Sequence, residues 1–179
     1  MKNMLAFSGS NNSQSINHQL VEFVVRELGI EGTKIISLLQ YEMPMYSEDY
    51  ERKNGLPGMA LALRQEISEA TYLIISVNEH NGTLSAFFKN VIDWLSRVDR
   101  NFLAGKKILL MSTSPGQRGG TGALETCKQL LPRFGGEIIE HFSFPSFYAN
   151  YDTESKQLTD EMILLGLREV LTTFAQQIN

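Results

Sequence analysis

Two apolar runs constrain this chain more than any other feature. Tyr72–Val77 and Ile108–Met111 are apolar on almost every successive residue. Side chains of a strand point alternately to opposite faces, so a strand without polar alternation is covered on both faces. That is the condition of a parallel sheet sandwiched between helices. Three further runs, Met4–Phe7, Lys34–Leu39 and Glu137–Phe142, are also rich in Ile, Leu, Met and Phe and read as strands. Between the runs the apolar spacing changes to that of helices. Ile16, Leu20, Val24 and Leu28 mark the first helix, and Met59, Leu63 and Ile67 the second. Leu84, Phe88, Val91, Ile92 and Leu95 mark the third, and Leu124, Cys127, Leu131 and Phe134 the fourth. Ile163, Leu167, Leu171, Phe174 and Ile178 mark the fifth.

Strand and helix therefore alternate five times. Right-handed crossovers then place helices on both faces of one five-stranded parallel sheet. The expected arrangement is an α/β three-layer sandwich with strand order 2-1-3-4-5, in one domain spanning residues 1–179. The irregular stretch 41–58 reads as a long surface loop. No run approaches the ~18 apolar residues of a membrane-crossing helix. The apolar run at the amino terminus is too short for a secretion signal.

The charge excludes one class of partner. With 16 Lys and Arg against 20 Asp and Glu, the net charge is −4, so no basic field draws in a nucleic-acid backbone. The single cysteine, Cys127, forms no internal disulfide and points to a reducing cytoplasm. It falls on the apolar side of the fourth helix and is expected in the core. The three histidines are dispersed and no His or Cys pair has metal-ligand spacing. A serine hydrolase is disfavoured, since no Gly-x-Ser-x-Gly elbow is present.

In an open parallel sheet, ligands bind beyond the carboxyl ends of the strands, beside the point where strand order reverses. Three loops fall there. Ser8–Asn17 leaves the first strand and opens the first helix with hydroxyls and amides. Free N–H groups at a helix start, with the positive dipole end behind them, suit a phosphate, although the same residues suit an ordinary N-cap. Val77–Ala86 follows the third strand. It carries the turn signal Asn81-Gly82, which can present backbone groups to a planar ligand or simply reverse the chain. Ser112–Gly122 has four glycines in seven residues and Arg118. It reads equally as a close-approach surface for a flat ligand or as a flexible loop.

Taken together, the three loops resemble those of the NADPH-dependent FMN reductases of the flavodoxin-like fold, which include azobenzene, chromate and quinone reductases. The family motif Gly-Ser-x-Arg-x-x-Ser-x-Asn corresponds to Gly9-Ser10-Asn11-Asn12-Ser13-Gln14-Ser15-Ile16-Asn17. Its second motif, Pro-Glu-Tyr-Asn-x-Ser-x-Pro-Gly and then Leu-Lys-Asn-x-Ile-Asp-Trp, corresponds to Asn78–Ala86 and Phe88–Trp94. Its third, Ser-x-Gly-x-x-Gly-Gly, corresponds to Ser114–Gly120. The departures are Asn12 for the arginine, His80 for the tyrosine, Asn78 and Ser85 for the prolines, and Ala86 for the glycine. Losing the arginine removes a charge-assisted hydrogen bond worth ~1.5–3 kcal/mol.

The resemblance implies a flavodoxin-like domain that binds FMN, oxidises NADPH or NADH, and passes hydride to a quinone, azo compound, free flavin or metal oxyanion. It implies that Ser10, Asn12, Ser15 and Asn17 surround the phosphate, and it includes Ile16 and Asn78 in the cofactor site. It places Glu79, His80 and Asn81 along the ring edge, and Ser114, Gly116, Gly119 and Gly120 on the other side of the flavin. No side-chain acid or base is required, because hydride transfer rests on stacking and alignment. The alternatives are a flavodoxin-like electron carrier, and a binding protein that has lost its flavin. The third helix is apolar beyond one stripe, with Phe87, Trp94 and Val98 outside the core face. That predicts a homodimer or homotetramer through this helix and the 41–58 loop, unless Phe87 and Trp94 pack beneath that loop within one chain.

Overall fold

The structure is a computed structural model and describes residues 3–178. The chain runs β1 (Met4–Ser8), α1 (Ile16–Leu28), β2 (Lys34–Ile35), α2 (Glu48–Asn54), α3 (Gly58–Glu69) and β3 (Tyr72–Val77). It continues through β4 (Glu79–His80), β5 (Thr83–Leu84), α4 (Ala86–Val98), β6 (Lys107–Thr113), α5 (Thr121–Leu130) and β7 (Glu137–Phe144). It closes with α6 (Phe147–Asn150), β8 (Tyr151–Asp152), β9 (Gln157–Leu158) and α7 (Glu161–Gln176). The main sheet is parallel, in the order β2-β1-β3-β6-β7. Counting only its five strands, this is the expected 2-1-3-4-5.

Alternating strand residues feed two separate cores. Leu5, Phe7, Leu73, Ile75, Val77, Ile108 and Leu110 face α3, α4 and α5. Met4, Ala6, Tyr72, Ile74, Leu109 and Met111 face α1 and α7. Both sets are buried, which accounts for the missing alternation in β3 and β6.

Four expectations need correction. The run Lys34–Leu39 is a strand only at Lys34–Ile35. Ser37 then caps a 3₁₀ turn over Leu38–Tyr41 and turns Leu38 and Tyr41 into the core. The segment 41–58 is not an uninterrupted loop but contains α2. Ser47 Oγ accepts from Tyr50 N at 3.1 Å, Glu48, Asp49 and Glu51 lie in its first turn, and Arg52 and Lys53 lie near its end. These are the charges a helix dipole favours at each end. Leu84 belongs to β5 rather than the third helix, and Leu131 and Phe134 lie on a 3₁₀ turn beyond α5.

Trp94 is the fourth. It is wholly buried, not part of an outer stripe. Its ring meets Tyr46 and Tyr50 edge-on, with centroids 5.0 and 5.9 Å away, and its Nε1 donates to Pro44 O at 2.7 Å. Asn90, one turn earlier on α4, accepts from Tyr46 N at 2.8 Å and donates to Pro44 O at 3.0 Å. The 43–46 segment is therefore pinned to α4.

Cys127 lies in the core under α5, and burial alone pushes its thiol up to about 12. A buried thiol held in its neutral form is a poor nucleophile. Folded protein should resist an aromatic disulfide reagent at pH 8 and react in full once unfolded in guanidinium. Rapid modification of the native protein would show that Cys127 is accessible.

Candidate functional site

The strands end in polar residues where the sheet meets the loops. Ser8, Ser76, Ser112 and Thr113 are all buried, and each of the last three donates a side-chain hydrogen bond. Ser76 Oγ donates to Asn17 Oδ1 at 2.8 Å. Ser112 Oγ donates to Gly119 O, and Thr113 Oγ1 to Phe144 O, both at 2.8 Å.

Asn17, in the first turn of α1, joins these ends. Its Nδ2 donates to Thr113 O at 3.1 Å, and its Oδ1 accepts from Thr113 N at 3.0 Å as well as from Ser76 Oγ. The amide thus pairs with one β6 residue as a neighbouring strand would, and also holds the end of β3. Three of its side-chain hydrogen-bonding positions are thus taken up by the scaffold.

The loop before α1 is ordered by its own polar atoms. Ser10 Oγ accepts from Asn12 N, Asn12 Oδ1 accepts from Gln14 N, and Ser15 Oγ caps the helix by accepting from His18 N. Gly9 lies against Phe88, so a Cβ there would run into the ring. Among the described residues, the backbone N–H groups of Asn11, Ser13, Ile16 and Asn17 meet no acceptor. These unpaired donors stand at the positive end of the α1 dipole.

The second loop is a two-residue hairpin, with β4 and β5 antiparallel and Asn81 and Gly82 at φ of 52° and 81°. Positive φ at both turn positions is the geometry that Asn-Gly favours. Glu79 reaches from this hairpin to α5, where its Oε2 accepts from Gly122 N at 2.6 Å and Ala123 N at 3.2 Å. A Cβ on Gly122 would collide with the Gly82 carbonyl, so the hairpin sits on α5 only because that residue is glycine. Arg118 approaches Glu79 at 3.7 Å while remaining largely in solvent.

The third loop is fastened to the segment after β7. Ser146 N donates to Gly116 O at 2.9 Å and Phe147 N to Ser114 O at 3.0 Å. Gly119 and Gly120 both have positive φ, and their missing side chains would point at β7 and β6, respectively.

A cleft of about 290 Å³ opens between the loops. Ser10, Asn12, Ser15, Ile16 and Asn17 line one end, Asn78, Glu79 and His80 one wall, and Ser114 the other. Asn11, Thr113 and Pro115 also line it, and sequence reasoning passed over them. Thr113 was recoverable as the last residue of a strand beside the switch point. Gly116, Gly119 and Gly120 do not line the cleft, and Asn81 borders a neighbouring concavity with His80 and Lys89. Among the described residues, no lysine or arginine lines the cleft. Bare N–H groups and hydroxyls at a helix start fit a phosphate ester, and the polar wall of Asn78 fits a ligand carrying hydrogen-bond donors.

Replacing Asn17 by Leu strips partners from the Thr113 N–H, the Thr113 carbonyl and the Ser76 hydroxyl together. Leaving one buried polar group unpaired costs ~1–3 kcal/mol. Urea unfolding should show a loss of about 3 kcal/mol or more. A change below about 1 kcal/mol would mean that the bracket carries little.

Comparison with known proteins supplies the family. Residues 2–149 match the family described as NADPH-dependent FMN reductase. A quinone reductase of Escherichia coli K12 is 29% identical over 147 residues, 76% of this chain and 74% of that protein. An NADPH:quinone oxidoreductase of Arabidopsis thaliana is 29% identical over 176 residues, 93% of this chain and 86% of that protein. In structure, the flavoenzyme NAD(P)H:(acceptor) oxidoreductase FerB of Paracoccus denitrificans superposes with a TM-score of 0.77 at 24% identity, covering 99% of this chain and 97% of that one. With the flavodoxin-like strand order and a match over most of its length, this chain belongs to the NADPH-dependent FMN reductase family, oxidoreductases that use FMN with NAD(P)H as electron donor.

Proposed function

We propose that this protein is an NAD(P)H:quinone oxidoreductase with FMN seated in the cleft at the start of α1. The observation that carries the placement is the set of unpaired N–H groups at Asn11, Ser13, Ile16 and Asn17. In this reading those groups, with the hydroxyls of Ser10 and Ser15 and the amide of Asn12, bind the phosphate. Asn78, Glu79, His80 and Asn81 border one side of the ring. Ser114 borders the other, and Gly116, Gly119 and Gly120 shape that loop. The phosphate cradle at the start of α1 favours FMN, which ends in one phosphate, over FAD. The names of the relatives support quinones as acceptors, with azo compounds and free flavin in the same chemical range.

Bound FMN would supply the hydride-transfer chemistry between a nicotinamide donor and the acceptor, a ping-pong scheme. The chain's own part is to bind and orient. The Asn17 bracket fixes the α1 start relative to β3 and β6. Glu79, tied to α5, holds the hairpin against the third loop. Rigid walls of this kind reduce the ordering cost of binding and set the approach of a second substrate.

Apo-protein titrated with FMN and FAD, followed by flavin fluorescence, should bind FMN more tightly, and the loaded protein should oxidise NADPH or NADH with a quinone. Asn12→Arg should tighten FMN about tenfold or more, since it adds a charge-assisted hydrogen bond of ~1.5–3 kcal/mol. Tighter FAD binding would overturn FMN as the cofactor, and no response to Asn12→Arg would remove the phosphate from this loop.

The proposal extends to assembly and location. A homodimer or homotetramer meeting through α4 and residues 41–58 is supported by Met45 at 69% exposed and by Phe87 and Val98, which pack only partly against the core. The lone buried cysteine supports a cytoplasmic setting, and no helix of the described residues is long and apolar enough to cross a membrane. Light scattering at micromolar concentration should give twice or four times the 20.2 kDa chain mass. A monomer would contradict the assembly.

A further inference from the structure

The cleft contains one polar atom that the fold leaves without a partner. Asn78 directly follows β3, is 9% exposed and lines the cleft wall. Its Nδ2 lies 3.3 Å from His80 Nε2. Its Oδ1 is buried and meets no donor among the described residues. A buried amide oxygen without a donor is costly, and native folds retain few such atoms without a reason.

The chemistry of that atom narrows what it meets. An amide oxygen only accepts, and a phosphate dianion offers only acceptors. Asn78 Oδ1 is therefore unsuited to the phosphate and suited to a donor. The donors of a flavin are the ring N3–H and the ribityl hydroxyls. Both belong to the portion that FMN shares with riboflavin. His80 sets the orientation: with its Nε2 as acceptor, the amide NH₂ turns toward His80 and the oxygen is left for the cleft. Among the described residues no lysine or arginine lines the cleft, so neutral contacts carry a larger share of recognition.

From this geometry we infer that Asn78 is a specificity-determining contact to the ribityl–isoalloxazine portion of the flavin, its Oδ1 accepting a hydrogen bond from that portion. The inference rests on the flavin reading above and adds to it a residue whose effect is blind to the phosphate.

The test is binding to apo-protein, followed by flavin fluorescence with FMN, riboflavin and lumiflavin. Asn78→Leu, which keeps the branched shape and removes both polar atoms, should weaken FMN and riboflavin by the same factor, about five- to tenfold, the scale of one hydrogen bond. Asn78→Ala should do likewise, and circular dichroism and urea unfolding confirm that each variant folds. Asn12→Arg serves as the contrast, since it should strengthen FMN and leave riboflavin unchanged. If lumiflavin, which lacks the ribityl chain, shows the same loss, the donor is the ring N3–H. If lumiflavin shows none, the donor is a ribityl hydroxyl. Loss for FMN alone, or no loss for either ligand in both folded variants, overturns the assignment while leaving the flavin site standing. Failure of the wild-type protein to bind FMN or riboflavin would overturn both.

Discussion

The pairing of the Asn17 amide with Thr113 is the contact on which the ligand-facing end of the molecule depends. A helix packed on a sheet by apolar contacts alone can slide by a fraction of a turn at little cost. Here three hydrogen bonds in a buried setting lock the first turn of α1 to the ends of β3 and β6. Buried polar contacts of this kind are directional where apolar packing is not. They fix which main-chain N–H groups the helix start presents and where the loop before it runs.

The other two loops are tied by the same means. Glu79 caps α5 from the hairpin, and Gly122 allows the two backbones to meet. Ser143 and Thr113 hold the third loop and the end of β7, and the 146–147 backbone closes on Ser114 and Gly116. Gly119 and Gly120 let that loop pack closely onto the sheet. The Glu79 carboxylate occupies the start of α5, which leaves α1 as the helix start that faces the cleft with bare donors. The proposed phosphate site is built, among the described residues, of neutral donors and a dipole rather than a cation. Such a site has less long-range attraction for an anion and a weaker dependence on salt than one built on arginine.

Much of this was legible in the sequence. Unbroken apolar runs specified the parallel sheet, and the three loops fell where the topology places a ligand. Short elements were harder to read. In the 34–39 run, side-chain capping by Ser37 outweighed strand propensity after two paired residues. The capping signals of α2 were present, but Pro and Gly on either side masked them. Residue roles were the least legible. Asn17 lies in the expected motif, yet its side chain braces the scaffold through three hydrogen bonds while its backbone N–H remains free. Gly119 and Gly120 answer to β7 and β6. Trp94 looked like a surface residue because its partners, Pro44, Tyr46 and Tyr50, lie some 45 residues away in the chain. Such distinctions depend on tertiary contacts that spacing along the chain does not encode.

The central claim is that the main-chain donors at the start of α1 receive the phosphate of FMN. The most direct measurement is the amide nitrogen–proton spectrum of the labelled apo-protein, recorded with FMN and with riboflavin. The account predicts that the amides of Asn11, Ser13, Ile16 and Asn17 move downfield with FMN and scarcely move with riboflavin, while amides of the Asn78–Asn81 hairpin respond to both. Equal shifts of the α1 amides with the two ligands, or shifts confined to another part of the sheet edge, would contradict it.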